Sequence, residues 1–167
     1  MIGWRAMSAA DLADVHAIAQ RLHGDHPEDV SVARERLALF PAGCRVLVDG
    51  SALIGYAVSH PWILGEPPAL DTRLGRLPQH PTTYYVHDVA ILPAGRGQGA
   101  AAAVLAHMMA LSRAAGLDNL SLVAVSGSQA VWARLGFVPP AWPGMAGKLA
   151  SYGEAAFMIR RLDEGVG

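Results

Sequence analysis

Between Thr83 and Gly116 the sequence switches character once. The β-rich run TYYVHDVAIL is broken at Pro93, passes through PAGRGQG, and continues into an alanine-rich stretch closed by Gly116. Tyr, Val and Ile suit a pleated, half-buried strand, Pro and Gly end it, and Ala is the strongest helix former. The pattern predicts a strand over Thr83–Leu92, a glycine turn, and a helix over Gly99–Ala115. A helix entered through glycines presents unpaired backbone N–H groups with partial positive charge, and glycine lets a ligand come close to the backbone. The turn therefore reads as a phosphate cradle, and Arg96 adds a full positive charge where the amides converge. A turn that merely packs helix on strand is the alternative.

The other elements fit around this unit. Ile2–Met7 reads as a short strand. Ser8 then caps a helix carrying Leu12, Val15, Ile18, Ala19 and Leu22 at helical spacing. GDHPED breaks that helix, and Val32, Leu37 and Phe40 support a second. Arg45–Val48 and Ala52–Ser59 form a hairpin through Asp49-Gly50. Pro61 to Pro81 is proline-rich and aperiodic, either a binding loop or a plain surface excursion. Leu120–Val125 is a further strand, Gln129–Leu135 a short helix with Ser126 and Gln129 at capping-box spacing, and Ala155–Leu162 a closing strand after a Pro/Gly-rich loop. The whole, residues 1–167, reads as one α+β domain with a mixed sheet.

Composition limits the partners. With 52% hydrophobic residues and a formal charge of -1, the chain is neither disordered nor suited as a whole to nucleic acid or an anionic membrane. The most apolar stretch, Gly99 to Leu111, falls short of the roughly 20 residues of a spanning helix, and the N-terminus does not read as a secretory signal. Cys44 stands alone, which excludes an internal disulfide and makes a reducing, cytoplasmic setting the expectation. Its strand-like neighbours make it a small buried hydrophobe rather than a nucleophile.

GRGQGA formally satisfies the dinucleotide fingerprint. That motif wants an acidic residue at the end of the next strand, however, and here Val125-Ser126-Gly127 stands there. The sequence instead resembles the GCN5-related N-acetyltransferase (GNAT) superfamily over almost its whole length. The likeness begins with Trp4-Arg5 and Asp11-Leu12. It peaks in Ile91-Leu92-Pro93 followed by Arg96, Gly99 and Ala101, which match the family signature of Arg or Gln, then Gly, then Gly or Ala. It resumes at Leu135-Gly136-Phe137.

The resemblance implies a mostly antiparallel sheet of six or seven strands, flanked by about four helices and splayed between the fourth and fifth strands. It also implies acetyl transfer from acetyl-CoA to an amine by direct attack, without metal, and it leaves room for a homodimer. The pyrophosphate would lie on Arg96, Gly97, Gln98, Gly99, Ala100 and Ala101, and the pantetheine along Val89, Ala90 and Ile91. Ser126 and Ser128, helix caps first, are further cofactor candidates. Trp132 occupies the place where relatives carry a tyrosine acid, and indole N–H is no acid; a catalytically silent acyl-CoA-binding module is therefore the other reading. On an alternating strand Tyr85, His87 and Val89 share a face. His87 is the candidate base, or else a half-buried structural histidine; Tyr85 accompanies it, and Asp88 joins them only if a bulge intervenes. The loops His23 to Glu28 and Pro140 to Gly153 would shape the acceptor cleft, with His26, Glu28, Trp62 and Tyr152 as candidate contacts. His23 and His26 make at best an incomplete zinc site.

Overall fold

Six strands form one sheet whose spatial order is their order in the chain: β1 (Ile2–Ala6), β2 (Cys44–Asp49), β3 (Ala52–Trp62), β4 (Thr83–Ile91), β5 (Asn119–Val125) and β6 (Ala155–Arg161). The computed structural model describes residues 1–24, 27–125, 127–142 and 145–162. Neighbouring strands are antiparallel except β4 and β5, which are parallel. A parallel pair needs a crossover, supplied by α3 (Ala100–Ala114). The chain also forms α1 (Leu12–Leu22), α2 (Val30–Leu39) and α4 (Gln129–Arg134). This is the expected mixed sheet with helices on its faces.

Side-chain alternation divides the apolar residues between two cores. On one face Ala57, Tyr84, Val86, Leu120 and Leu122 pack against Val104, Leu105 and Met108 of α3. On the other, Cys44, Val46, Tyr56, Val58 and Ala90 pack against Leu12, Val15 and Ile18 of α1. Cys44 is fully buried, and burial pushes its thiol up to about 12, as suits an inert packing residue.

β3 runs three residues beyond the expected end at Ser59, through Pro61. Its pairing with β2 stops at Val58 while its pairing with β4 continues to Trp62. One edge of that extension therefore has no strand beside it, which is where a missing N–H costs no ladder bond. The proline-rich loop that follows forms neither helix nor strand over residues 63–82. It is tied down by polar bonds. Leu74 N and Gly75 N donate to Glu35 at 2.6 and 3.0 Å, Asp71 N donates to Glu28 at 2.8 Å, and Tyr152 donates to the Pro68 carbonyl at 2.5 Å. Tyr152 itself ends a 3-10 segment, Ala146–Tyr152, where the sequence suggests only loop. Among the described residues no helix is long and apolar enough to cross a membrane.

At the start of the chain, the Asp11 carboxylate receives the Ser8 N–H at 2.8 Å and both Arg5 Nη groups at 2.8 and 2.9 Å. These bonds, the Arg5 pair foremost, hold it well below the usual carboxylate range. A depressed folded-state pKa stabilises the fold above the unfolded value and loses that contribution as pH falls. Asp11→Asn is expected to lower the Tm at pH 7, with the gap to wild type closing as pH drops below about 4. Thermal melts across that range check it.

Candidate active site

The site begins where β4 loses β5. Their register is only Tyr84 with Leu120, Tyr85 with Ser121 and Val86 with Leu122, although β4 continues to Ile91 and β5 to Val125. Beyond Val86 the strands part, and a groove of about 1360 Å³ opens between them. One end reaches the turn at Arg96, Gly97, Gly99, Ala100 and Ala101. Trp132 and Leu135 line a side, and the other end passes beneath α1 and α2 to His23, Glu28 and Tyr152.

At the turn Gly97 and Gly99 have φ of +77° and +73°, a left-handed conformation that glycine adopts without strain. The backbone N–H groups of Gly97 through Ala101 meet no acceptor among the described residues. Their donors fit a phosphate group, as at other helix N-termini. Arg96 Nε donates to the Ile91 carbonyl at 3.1 Å, which ties the guanidinium to this turn. Gln98 contributes only backbone, because its side chain bonds the Ala94 carbonyl and lines a separate cavity of about 350 Å³ with Trp4, Arg45 and His107. Ser128 Oγ donates to the Val125 carbonyl at 2.7 Å, an intrachain bond at the entrance to α4. Trp132 lies edge-on to Phe137, with ring centroids 5.4 Å apart. Ser126 and His26 fall outside the described residues.

The chemistry at the other end depends on a bulge. Val58 pairs with Asp88, but Ser59 pairs with Val86, so His87 is an extra residue on β4. Alternation is interrupted there. Val86 and Val89 both pack toward α3 while Ala90 faces α1, and His87 and Asp88, adjacent in sequence, both reach groups on the α1 and α2 side. Tyr56 OH donates to Asp88 Oδ2 at 2.6 Å, and His23 Nε2 lies 3.2 Å from the same oxygen. His87 Nε2 lies 2.6 Å from Glu28 Oε1. Two carboxylate–imidazole pairs thus stand side by side in the groove.

Their electrostatics differ. The Asp88 hydrogen bond raises the His23 pKa against the opposing effect of burial. Burial pulls the Asp88 carboxyl up, but the His23 hydrogen bond and charge, together with the His87 charge and the Tyr56 hydrogen bond, outweigh it and hold Asp88 below its ordinary range. Glu28 shows the same balance, with His87 as the partner. Beneath them His60 is buried, and burial lowers its pKa to about 3.

The structure brings together His87, Asp88, Glu28 and Tyr152 from the residues singled out in the sequence, together with Val89, Ala90 and Ile91 on the groove wall. Two others are elsewhere. Tyr85 is 1% exposed, lies between the tilted rings of His60 and His87, and is bonded to the Tyr152 hydroxyl at 3.2 Å, so it supports the groove without lining it. Trp62 donates to the Glu66 carbonyl at the far end of β3. The sequence marks His23 only as part of a cleft-shaping loop, and Tyr56 and the buried Arg36, whose Nη1 bonds Glu35 and the Thr72 carbonyl at 3.1 Å each, carry no local sequence signal of a role here. The bulge on β4, the register of β3 and the end of α1 together put His23 and Tyr56 beside Asp88. Among the described residues no three His, Cys, Asp or Glu side chains form a metal-holding group.

An NMR titration of the histidines checks these environments. His60 is expected to stay neutral down to about pH 3, His23 to titrate above its ordinary value, and Asp88→Asn to return His23 toward that value.

No match is found among curated proteins. Solved structures that share the fold include Ard1 from Thermoplasma volcanium, with a TM-score of 0.70 at 15% identity, covering 98% of this chain and 99% of that one. The loading GNATL domain of CurA from Lyngbya majuscula aligns with a TM-score of 0.76 at 14% identity over 98% of each chain. Naa20 from Chaetomium thermophilum, in complex with a bisubstrate analogue, aligns with a TM-score of 0.70 at 17% identity, over 96% of this chain and 86% of that one. The family model described as acetyltransferase (GNAT) family matches residues 12–137, from the first turn of α1 through the glycine turn before α3 to Phe137. The chain therefore belongs to the GNAT acetyltransferase family.

Proposed function

We propose that the protein transfers an acetyl group from acetyl-CoA to a primary amine of a small molecule or peptide, by direct attack within a ternary complex. The observation that carries this reading is the continuity of one groove from the amide cradle at Arg96–Ala101 to the paired carboxylates and imidazoles at the β4 bulge. The cradle and Arg96 suit the pyrophosphate. Beyond Val86 the β4 edge has lost its partner strand, so the backbone of Val89–Ile91 is free to bond the amides of a pantetheine arm and to offer an N–H to the thioester oxygen. The acceptor approaches from the α1–α2 side, where Glu28, Tyr152 and Asp88 line the groove.

An acceptor arriving as an ammonium must shed a proton before its nitrogen can attack. The bulge brings two carboxylate-backed imidazoles, His23 with Asp88 and His87 with Glu28, to this end of the groove. Attack forms the C–N bond and breaks the C–S bond. With Trp132 where relatives place a tyrosine, the thiolate leaves without a phenol to protonate it; a thiol of ordinary pKa ~8.5 is a workable leaving group near neutral pH. The bound-state benefit is mainly proximity, since the groove holds both reactants in line.

Trp132 also favours a second reading, an acyl-CoA-binding module that transfers nothing to amines. The two readings separate on one assay. With acetyl-CoA and a panel of alkylamines and dipeptides, acceptor-dependent release of free thiol is expected; CoA binding with no release above the blank for any acceptor supports the module instead. Arg96→Glu is expected to abolish the thermal stabilisation that CoA confers. An unchanged melting shift removes the cradle from the proposal.

A further inference from the structure

The two imidazoles at the bulge differ in the nitrogen each leaves free. His87 directs Nε2 at Glu28, and its other nitrogen, Nδ1, is buried with no partner; the side chain is 4% exposed. A base must meet the proton it takes within hydrogen-bond reach, and this nitrogen is buried although the His87 side chain borders the groove. His23, at the C-terminal end of α1, is the reverse. Its side chain is 36% exposed and lines the groove, and its Nε2 is turned inward to Asp88. That leaves Nδ1 as the nitrogen available to a ligand. An imidazole held through one nitrogen by a carboxylate, which is itself held by a third group, is the arrangement that orients a base and stabilises its protonated form. Here the third group is Tyr56, which donates to the same Asp88 oxygen at 2.6 Å.

We propose that His23 is the general base of the transfer reaction, with Asp88 and Tyr56 as its positioning residues. The assignment rests on the amine-transfer reading above. The acceptor N–H bond breaks, its electron pair stays on nitrogen, and the proton goes to His23 Nδ1 and then to solvent along the exposed side of the ring. The freed amine attacks the thioester carbon, the C–S electron pair leaves on sulfur, and the second nitrogen proton is transferred to that sulfur, so that the amide and free thiol are the products. His87 and Glu28 form the closed wall beside this pair, and Glu28 also holds the proline-rich strap through Asp71 N. Among the described residues, the charged and titratable groups around His23 are Asp88 and His87 on β4, Tyr56 on β3, Glu28 on the α1–α2 connection, and His16 and Asp29 further along the groove. The nearest carboxylate, Asp88, dominates.

His23 is at the end of a helix and part exposed, so its replacement leaves the cores intact. Steady-state transfer from acetyl-CoA to the best amine of the panel is measured against pH for wild type, His23→Gln, His87→Gln and Asp88→Asn, with CoA binding followed by calorimetry. His23→Gln is expected to lower kcat by about 100-fold, to leave CoA affinity and KM for acetyl-CoA unchanged, and to remove the acidic limb of the kcat/KM profile. Asp88→Asn shifts that limb to lower pH, because loss of the carboxylate lowers the His23 pKa. His87→Gln keeps the limb. An unchanged rate and limb in His23→Gln, or loss of the limb in His87→Gln, overturns the assignment while leaving amine transfer standing. A wild type that binds CoA but releases thiol with no amine overturns the transfer reading, and the base with it.

Discussion

β4 has two different neighbours, and it parts from regular pairing with both at the same place. Toward β3 it carries His87 as one residue too many; toward β5 it stops pairing after Val86. An unpaired strand edge inside a protein is costly unless something bonds its N–H and C=O groups, so a parted sheet of this kind has a built-in demand for a ligand that can behave as a strand. The bulge supplies the other half of the site. It turns His87 and Asp88, which strict alternation would send to opposite faces, toward the same side of the sheet. Both the groove and the chemistry in it follow from that one irregularity.

Bringing polar side chains onto a face otherwise packed by α1 and α2 carries its own cost, since buried charges must be paired and bonded. Each of the two carboxylates is met by an imidazole and by a further donor: Tyr56 OH for Asp88 and Asp71 N for Glu28. The second of these donors comes from the proline-rich strap, which is further tied to α2 through Glu35 and Arg36 and to the 3-10 segment through Tyr152. The strap therefore completes the polar layer around Glu28 and Asp88, and it is held by bonds to side chains rather than to strands. Of residues 61–81 only Leu70 borders the groove itself; the segment bears on it mainly through the Asp71 N–H bond to Glu28.

The legible parts of the site were local. The glycine turn with its free amides is read from consecutive residues, because positive φ at glycine and unpaired N–H groups at a helix start are properties of a few neighbouring peptide units. The inertness of Cys44 was equally readable from its strand-like flanks. His87 and Asp88 stood out by type and by strand, yet their common direction was not readable, since a bulge is defined by the partner strand's register. Trp62 shows the same limit from the other side. β3 extends beyond its expected end at Ser59 and carries the indole to Glu66, away from the groove. Tyr85, on the same face as His87, is covered by the rings on either side of it.

Sequence alone settled the order of the elements, the turn that begins α3 and the family to which these motifs point. Those depend on short-range rules of propensity, glycine conformation and spacing, which act within a few residues of each other. Which imidazole is open to a ligand, and which carboxylate stands behind it, was decided only when β3, β4 and the end of α1 came together. His23 and Asp88 are 65 positions apart in the chain, and their 3.2 Å contact depends on packing between distant segments that no local pattern encodes.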